Sequence, residues 1–143
     1  MNLKISYKIN YYTMASNILT AFNDHFVEFV SDVHSVFPDD TDVLAAKNAL
    51  LAIRKANPKM IIKIWNVFIV GKYKSEIESG NLDFFINKDY SNDVASADNS
   101  SKIVESINRL RGPIKLMGKD NQEKTMKYIQ NLTKLAFIYE SNF

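Results

Sequence analysis

The stretch Thr13–Phe37, TMASNILTAFNDHFVEFVSDVHSVF, decides the fold. At about 100° per residue, Ile18, Leu19, Phe22, Phe26, Phe29, Val30, Val33, Val36 and Phe37 fall within an arc of about 120°. Asp24, Glu28 and Asp32 fall outside that arc. This is a helix with one face in a core. Pro38 ends it, because the residue before a proline is steered away from helical backbone.

The pattern continues toward the C-terminus. Asp39-Asp40-Thr41-Asp42 supplies an N-cap and an acidic first turn for a second helix running to about Ala56. Asn57-Pro58 opens a third, Lys59–Val70, whose apolar residues cover nearly its whole circumference. A helix of that kind belongs at the centre of a fold, which makes Trp65 and Phe68 core residues. Gly71 is a candidate kink before Lys72–Ser79, and Gly80 a C-terminal stop. Asn81–Ile86 reads as a short helix and Ser101–Leu110 as a longer one closed by Gly112-Pro113. Asp120 and Glu123 resemble a capping box opening a last helix with Tyr128, Ile129, Leu132, Leu135, Ala136 and Tyr139 on one face.

Toward the N-terminus the period changes. Leu3, Ile5, Tyr7, Ile9 and Tyr11 alternate with polar residues, which is the pattern of a strand with one buried face. No second strand is evident, and a lone strand needs a partner. It could be an edge of a small unseen sheet, a disordered tail, or a strand added to a neighbouring chain; the apolar content favours the last. The expectation is therefore an all-α fold: a single domain of five or six helices at 13–143, with an extended, strand-like N-terminal arm at 1–12.

Composition agrees. The chain has 143 residues, with only 4 glycines and 3 prolines, which suits long helices better than many short strands. There are no cysteines, so no disulfide scaffold, thiol nucleophile or cysteine zinc site is expected, and a reducing compartment fits. No apolar run approaches the ~18 residues of a membrane-spanning helix.

Chemical motifs are sparse. His25 and His34 sit on opposite sides of one helix and cannot share a ligand. Asn87–Asp98 follows the spacing of a calcium-binding EF-hand loop, with Asn87, Asp89, Ser91, Asp93, Ala95 and Asp98 at the ligand positions. Its first position lacks a carboxylate and its twelfth has Asp in place of Glu, so it reads as a solvated loop, and whether it binds calcium stays open. Phosphate-binding glycine motifs and nucleophile elbows are absent. The expectation is no enzyme, no metal and no cofactor.

Charge is the more informative feature. Thr13–Ala46 has no Lys or Arg but holds Asp24, Glu28, Asp32, Asp39, Asp40 and Asp42. Val43–Ser75 has no acid but holds Lys47, Arg54, Lys55, Lys59, Lys63, Lys72 and Lys74. Either the two blocks offset each other within the fold, or they form opposite faces that orient the protein among neighbours. Arg109, Arg111, Lys115 and Lys119 are a candidate basic surface for nucleic acid, the lesser alternative.

Two segments carry a resemblance: HFVEFVSDVHSVFPDDTDVLAAKNALLAIRKANPKMIIKIW (His25–Trp65) and IESGNLDFFINKDYSNDV (Ile77–Val94). With their FPDD turn, KANPK helix start and GNLDFFINKDY segment, they resemble small uncharacterised proteins of large DNA viruses of algae and amoebae. The resemblance implies a viral origin, and with it a virion component such as a minor capsid protein, assembled in the host cytoplasm and bridging capsid subunits. Leu3, Ile5, Tyr7, Ile9 and Tyr11 would then be the arm offered to a partner. The alternative is an intracellular adaptor or regulator of infection.

Overall fold

The computed structural model describes residues 3–87 and 99–143, with side chains for 11–87 and 101–143. All regular structure among these residues is helical: α1 (Leu3–Val36), α2 (Thr41–Ala56), α3 (Met60–Trp65), a π-helical turn (Asn66–Val70), α4 (Gly71–Ser79), α5 (Asp83–Ile86), α6 (Asn99–Leu116) and α7 (Lys119–Asn142). The long helix α1 packs along α2 and α7, and α2 packs along α6. The short α3 touches α1, α2, α6 and α7 and so occupies the middle.

The apolar arc of α1 explains this arrangement. Phe22, Phe26, Phe29, Val30 and Val33 are all buried. Trp65 of α3 is 1 % exposed and meets Phe22 and Phe26 edge-on, with ring centroids 6.3 and 5.6 Å away. Asn23 lies between those phenylalanines and is buried too; its Nδ2 donates to the Pro58 carbonyl at 2.8 Å, tying α1 to the start of α3. Burying that amide without a partner would be costly, so the bond specifies the packing. The Asp40 carboxylate accepts from the Asp42 and Val43 amides at 2.9 and 3.0 Å, as its capping position demands. Gly80 ends α4 at φ +76°, with Asn81 N–H reaching Glu76 O and Gly80 N–H reaching Ile77 O, a pattern that glycine alone adopts without strain.

Several expectations are corrected. The stretch Leu3–Tyr11, expected as a strand, has helical backbone continuous with α1. No strand among the described residues offers it a ladder. Extending an existing helix gains one hydrogen bond per residue fixed, whereas a lone strand gains none. Tyr11 helps hold that extension: its hydroxyl donates to the Phe143 carbonyl at 3.2 Å, and its ring sits edge-on to Phe143 at 4.9 Å.

The helix expected to close at Gly112-Pro113 runs through it to Leu116. The residue before a proline is restricted largely by its Cβ, which Gly112 lacks, and Pro113 is itself buried with Leu110 and Ile114. The last helix starts at Lys119 with Gly118 as its cap and no side-chain capping bond, so Asp120 is a first-turn carboxylate and not a capping residue. The expected helix Lys59–Val70 is divided after Trp65 by the π-helical turn. Of the loop Asn87–Asp98, only Asn87 lies within the described residues, so the calcium reading falls outside them.

Candidate functional site

Helix α7 presents one flank to α1 and the other to the π turn and α4. On the second flank the wide turn is closed by Gly71 N–H bonding back to Asn66 O. Such turns insert an extra residue into a helix and frequently mark functional sites. Here the turn is pinned to α7 by side chains. Trp65 Nε1–H donates to Thr133 Oγ at 3.1 Å, and Asn66 Nδ2 donates to the Ala136 carbonyl at 3.0 Å. One turn later Tyr73 leaves helical backbone (φ −127°, ψ 20°) and kinks α4.

Along this kinked segment α4 and α7 leave an open groove of about 360 Å³. Val70, Ile77 and Phe137 give it an apolar lining, and Thr133 and Gln130 add polar groups. Lys74 and Glu78 line it from α4, and Lys134 from α7. Gln130 Nε2 donates to the Ile77 carbonyl at 2.9 Å and staples the far end of α4. Phe137 is 52 % exposed, and the Lys74 ammonium lies 4.9 Å from its ring centroid. This is a cation–π contact at the rim. The groove combines an apolar lining with two lysines and one glutamate at its edges.

The α1 flank is chemically different. Tyr128 stacks near Phe29 and His25, with ring centroids 5.4 and 4.8 Å away. Its hydroxyl donates to Asp32, with Glu28 as a second acceptor at 3.2 Å. Burial first, and then these two carboxylates, hold the Tyr128 phenol well above the usual tyrosine range. At neutral pH it is therefore a fixed donor and no proton acceptor. His25 Nδ1 lies 3.7 Å from Glu28 Oε2. His34 Nδ1 is 3.5 Å from the Lys47 ammonium, well away from this cluster along α1. The described residues contain no group of three metal-ligating acidic or imidazole side chains.

The candidate basic surface is divided. Arg111 is 8 % exposed, and its guanidinium lies 5.1 Å from the Phe85 ring centroid, so it belongs to the core. Arg109 bonds Asp42 of α2 at 2.9 Å and Glu105 at 3.1 Å. These carboxylates, Glu105 foremost, raise its already high affinity for its proton. Lys115 and Lys119 remain exposed on either side of the α6–α7 turn. Of the arm residues, Leu3, Ile5, Tyr7 and Ile9 have helical backbone, and Tyr11 is committed in part to Phe143. The opposite charge blocks do meet inside the fold, through Arg54 with Asp24.

The groove was not anticipated from sequence. One signal was present: Phe137 lies off the apolar stripe of its helix, where an aromatic has no core to enter. Nothing comparable announced the π turn or the roles of Asn66 and Gln130.

Set against known proteins, the chain matches no family model, no curated protein and no solved structure.

Proposed function

We propose that this chain is a non-enzymatic interaction protein that joins subunits of a larger assembly, with the α4–α7 groove as its docking surface. The observation that carries the reading is Phe137, half exposed on an apolar groove with the Lys74 ammonium over its ring. Surface aromatics in such settings are the usual anchors of protein interfaces. The fitting occupant is a partner helix. Both walls are helices whose backbone groups bond internally, and no strand edge exists among the described residues, so recognition runs through side chains laid into a groove.

The helical extension at 3–10, beyond the Tyr11–Phe143 contact, is the proposed second contact with a partner; strand addition gives way there to helical packing. The resemblance of His25–Trp65 and Ile77–Val94 to small viral proteins is the support for placing the assembly in a virion, with this chain as a minor capsid component bridging neighbouring subunits. Nucleic acid binding is less well supported, since Arg111 is buried and Arg109 is paired with carboxylates.

The test is incorporation into particles. The wild-type chain is expected in purified particles at fixed stoichiometry, and Phe137→Asp, with an unchanged thermal midpoint, is expected to be missing from them. Normal incorporation of Phe137→Asp would overturn the groove as the docking surface. Absence of the wild-type chain from particles would place it with intracellular adaptors.

A further inference from the structure

The chemistry of the groove also specifies what kind of helix fits it. Arg54 pairs with Asp24, and Arg109 with Asp42 and Glu105. The two groove lysines are not paired in this way. Among the described residues, neither Lys74 nor Lys134 has a carboxylate within ion-pair distance. One stands on each wall, and both lie beside Phe137 in space or in sequence: Lys74 through its ring contact, Lys134 one helical turn away.

We infer that the groove accepts an acidic amphipathic helix. An apolar side chain of that helix enters between Val70, Ile77 and Phe137, and its carboxylates pair with Lys74 and Lys134. This inference rests on the docking reading above and adds the partner's charge to it. Glu78 extends the argument to direction. It sits beside Ile77, whose carbonyl is held by Gln130, and so toward the opposite end of the groove from the Lys74–Phe137 contact. A second carboxylate is repelled there, so the acidic turn of the partner lies at the Phe137 end.

The Lys74 ammonium lies 4.9 Å from the Phe137 ring centroid, at the place where an arriving carboxylate would meet it. Exposed pairs are individually weak, so the expected consequence is selectivity between otherwise similar helices more than tight binding.

Three synthetic 16-residue amphipathic peptides with the same apolar stripe, flanked by Glu, Gln or Lys, are the probes, read by fluorescence anisotropy on the full chain. The Glu peptide is expected to bind about five- to tenfold more tightly than the Gln peptide at low salt, with the preference shrinking as salt rises. Lys74→Glu with Lys134→Glu should reverse the order, and Phe137→Asp should abolish binding of all three. Thermal midpoints of each variant establish that folding is retained. Equal binding of the Glu and Gln peptides, sensitive to Phe137→Asp, overturns the acidic partner and leaves the docking reading standing. Binding indifferent to Phe137→Asp, or no binding by any peptide, overturns both. Self-association that Phe137→Asp removes assigns the groove to a second copy of the chain and overturns the inference.

Discussion

The two flanks of α7 each carry an aromatic residue and end differently. Against α1, an aromatic residue is partly buried: Tyr128 lies against Phe29 and His25, its hydroxyl is taken up by Asp32 and Glu28, and the cavity beside it is only about 180 Å³. Against α4, an aromatic residue is left half open: Phe137 borders a groove with Lys74 over its ring. The first flank continues the regular stripe of a long helix. The second borders a π turn and a kink at Tyr73, which interrupt the helix opposite. The uninterrupted helices leave the smaller space between them, and the broken one leaves the larger space beside its break. That space is the proposed docking surface.

The strongest way to break the contrast is to remove what pins the open flank to the rest. Trp65→Ala deletes a fully buried side chain and the Thr133 bond together, and should destabilise the fold by about 3–5 kcal/mol in urea unfolding followed by circular dichroism. A cost below about 1 kcal/mol would mean that the core collapses around the site and that α3 is not its centre.

The closed flank is tested next. Tyr128→Phe keeps the ring and loses the hydroxyl, and should cost about 1 kcal/mol at neutral pH. Its pH dependence carries a definite sign. The folded phenol holds its proton more tightly than a free tyrosine, whose value is about 10, so the stabilisation is complete below about pH 10 and is lost as pH rises from there toward the folded value. The thermal midpoint of the native chain should therefore fall more steeply above pH 10 than that of Tyr128→Phe. Parallel curves would show that the hydroxyl contributes nothing to the closed flank.

The smallest effect is expected at the open one. Phe137→Ser should change stability by less than about 0.5 kcal/mol, because the ring is half in water already. A loss comparable to that of a buried phenylalanine would show that Phe137 is a structural residue, and the contrast between the flanks would disappear.

Helical character was legible because it follows from spacing. The arc, the Asp40 cap and the Gly80 stop all act within a few residues of chain; the structure contains the cap and the stop, and it buries the arc from Phe22 to Val33 while Val36 is exposed and Phe37 lies beyond the helix. The N-terminal residues misled for the same reason. Alternation at period two is a local pattern, and what it becomes depends on whether a strand exists elsewhere to pair with; among the described residues none does. Gly112-Pro113 misled through a rule about proline that its preceding glycine relaxes.

The groove belongs to a different level. Val70, Lys74 and Ile77 come together with Thr133, Lys134 and Phe137 across more than fifty positions of chain. Sequence presented Lys74 only as one cation in a basic block and did not single out Phe137. Local pattern alone dictated that these segments are helices and which stripe of each is apolar, because both follow from backbone geometry and the burial of side chains one or two turns apart. Which flank of α7 closes and which stays open was decided in the folded molecule. There the π turn after Trp65, the bonds to Thr133 and Ala136 and the kink at Tyr73 set the distance between two helices that the chain itself keeps far apart.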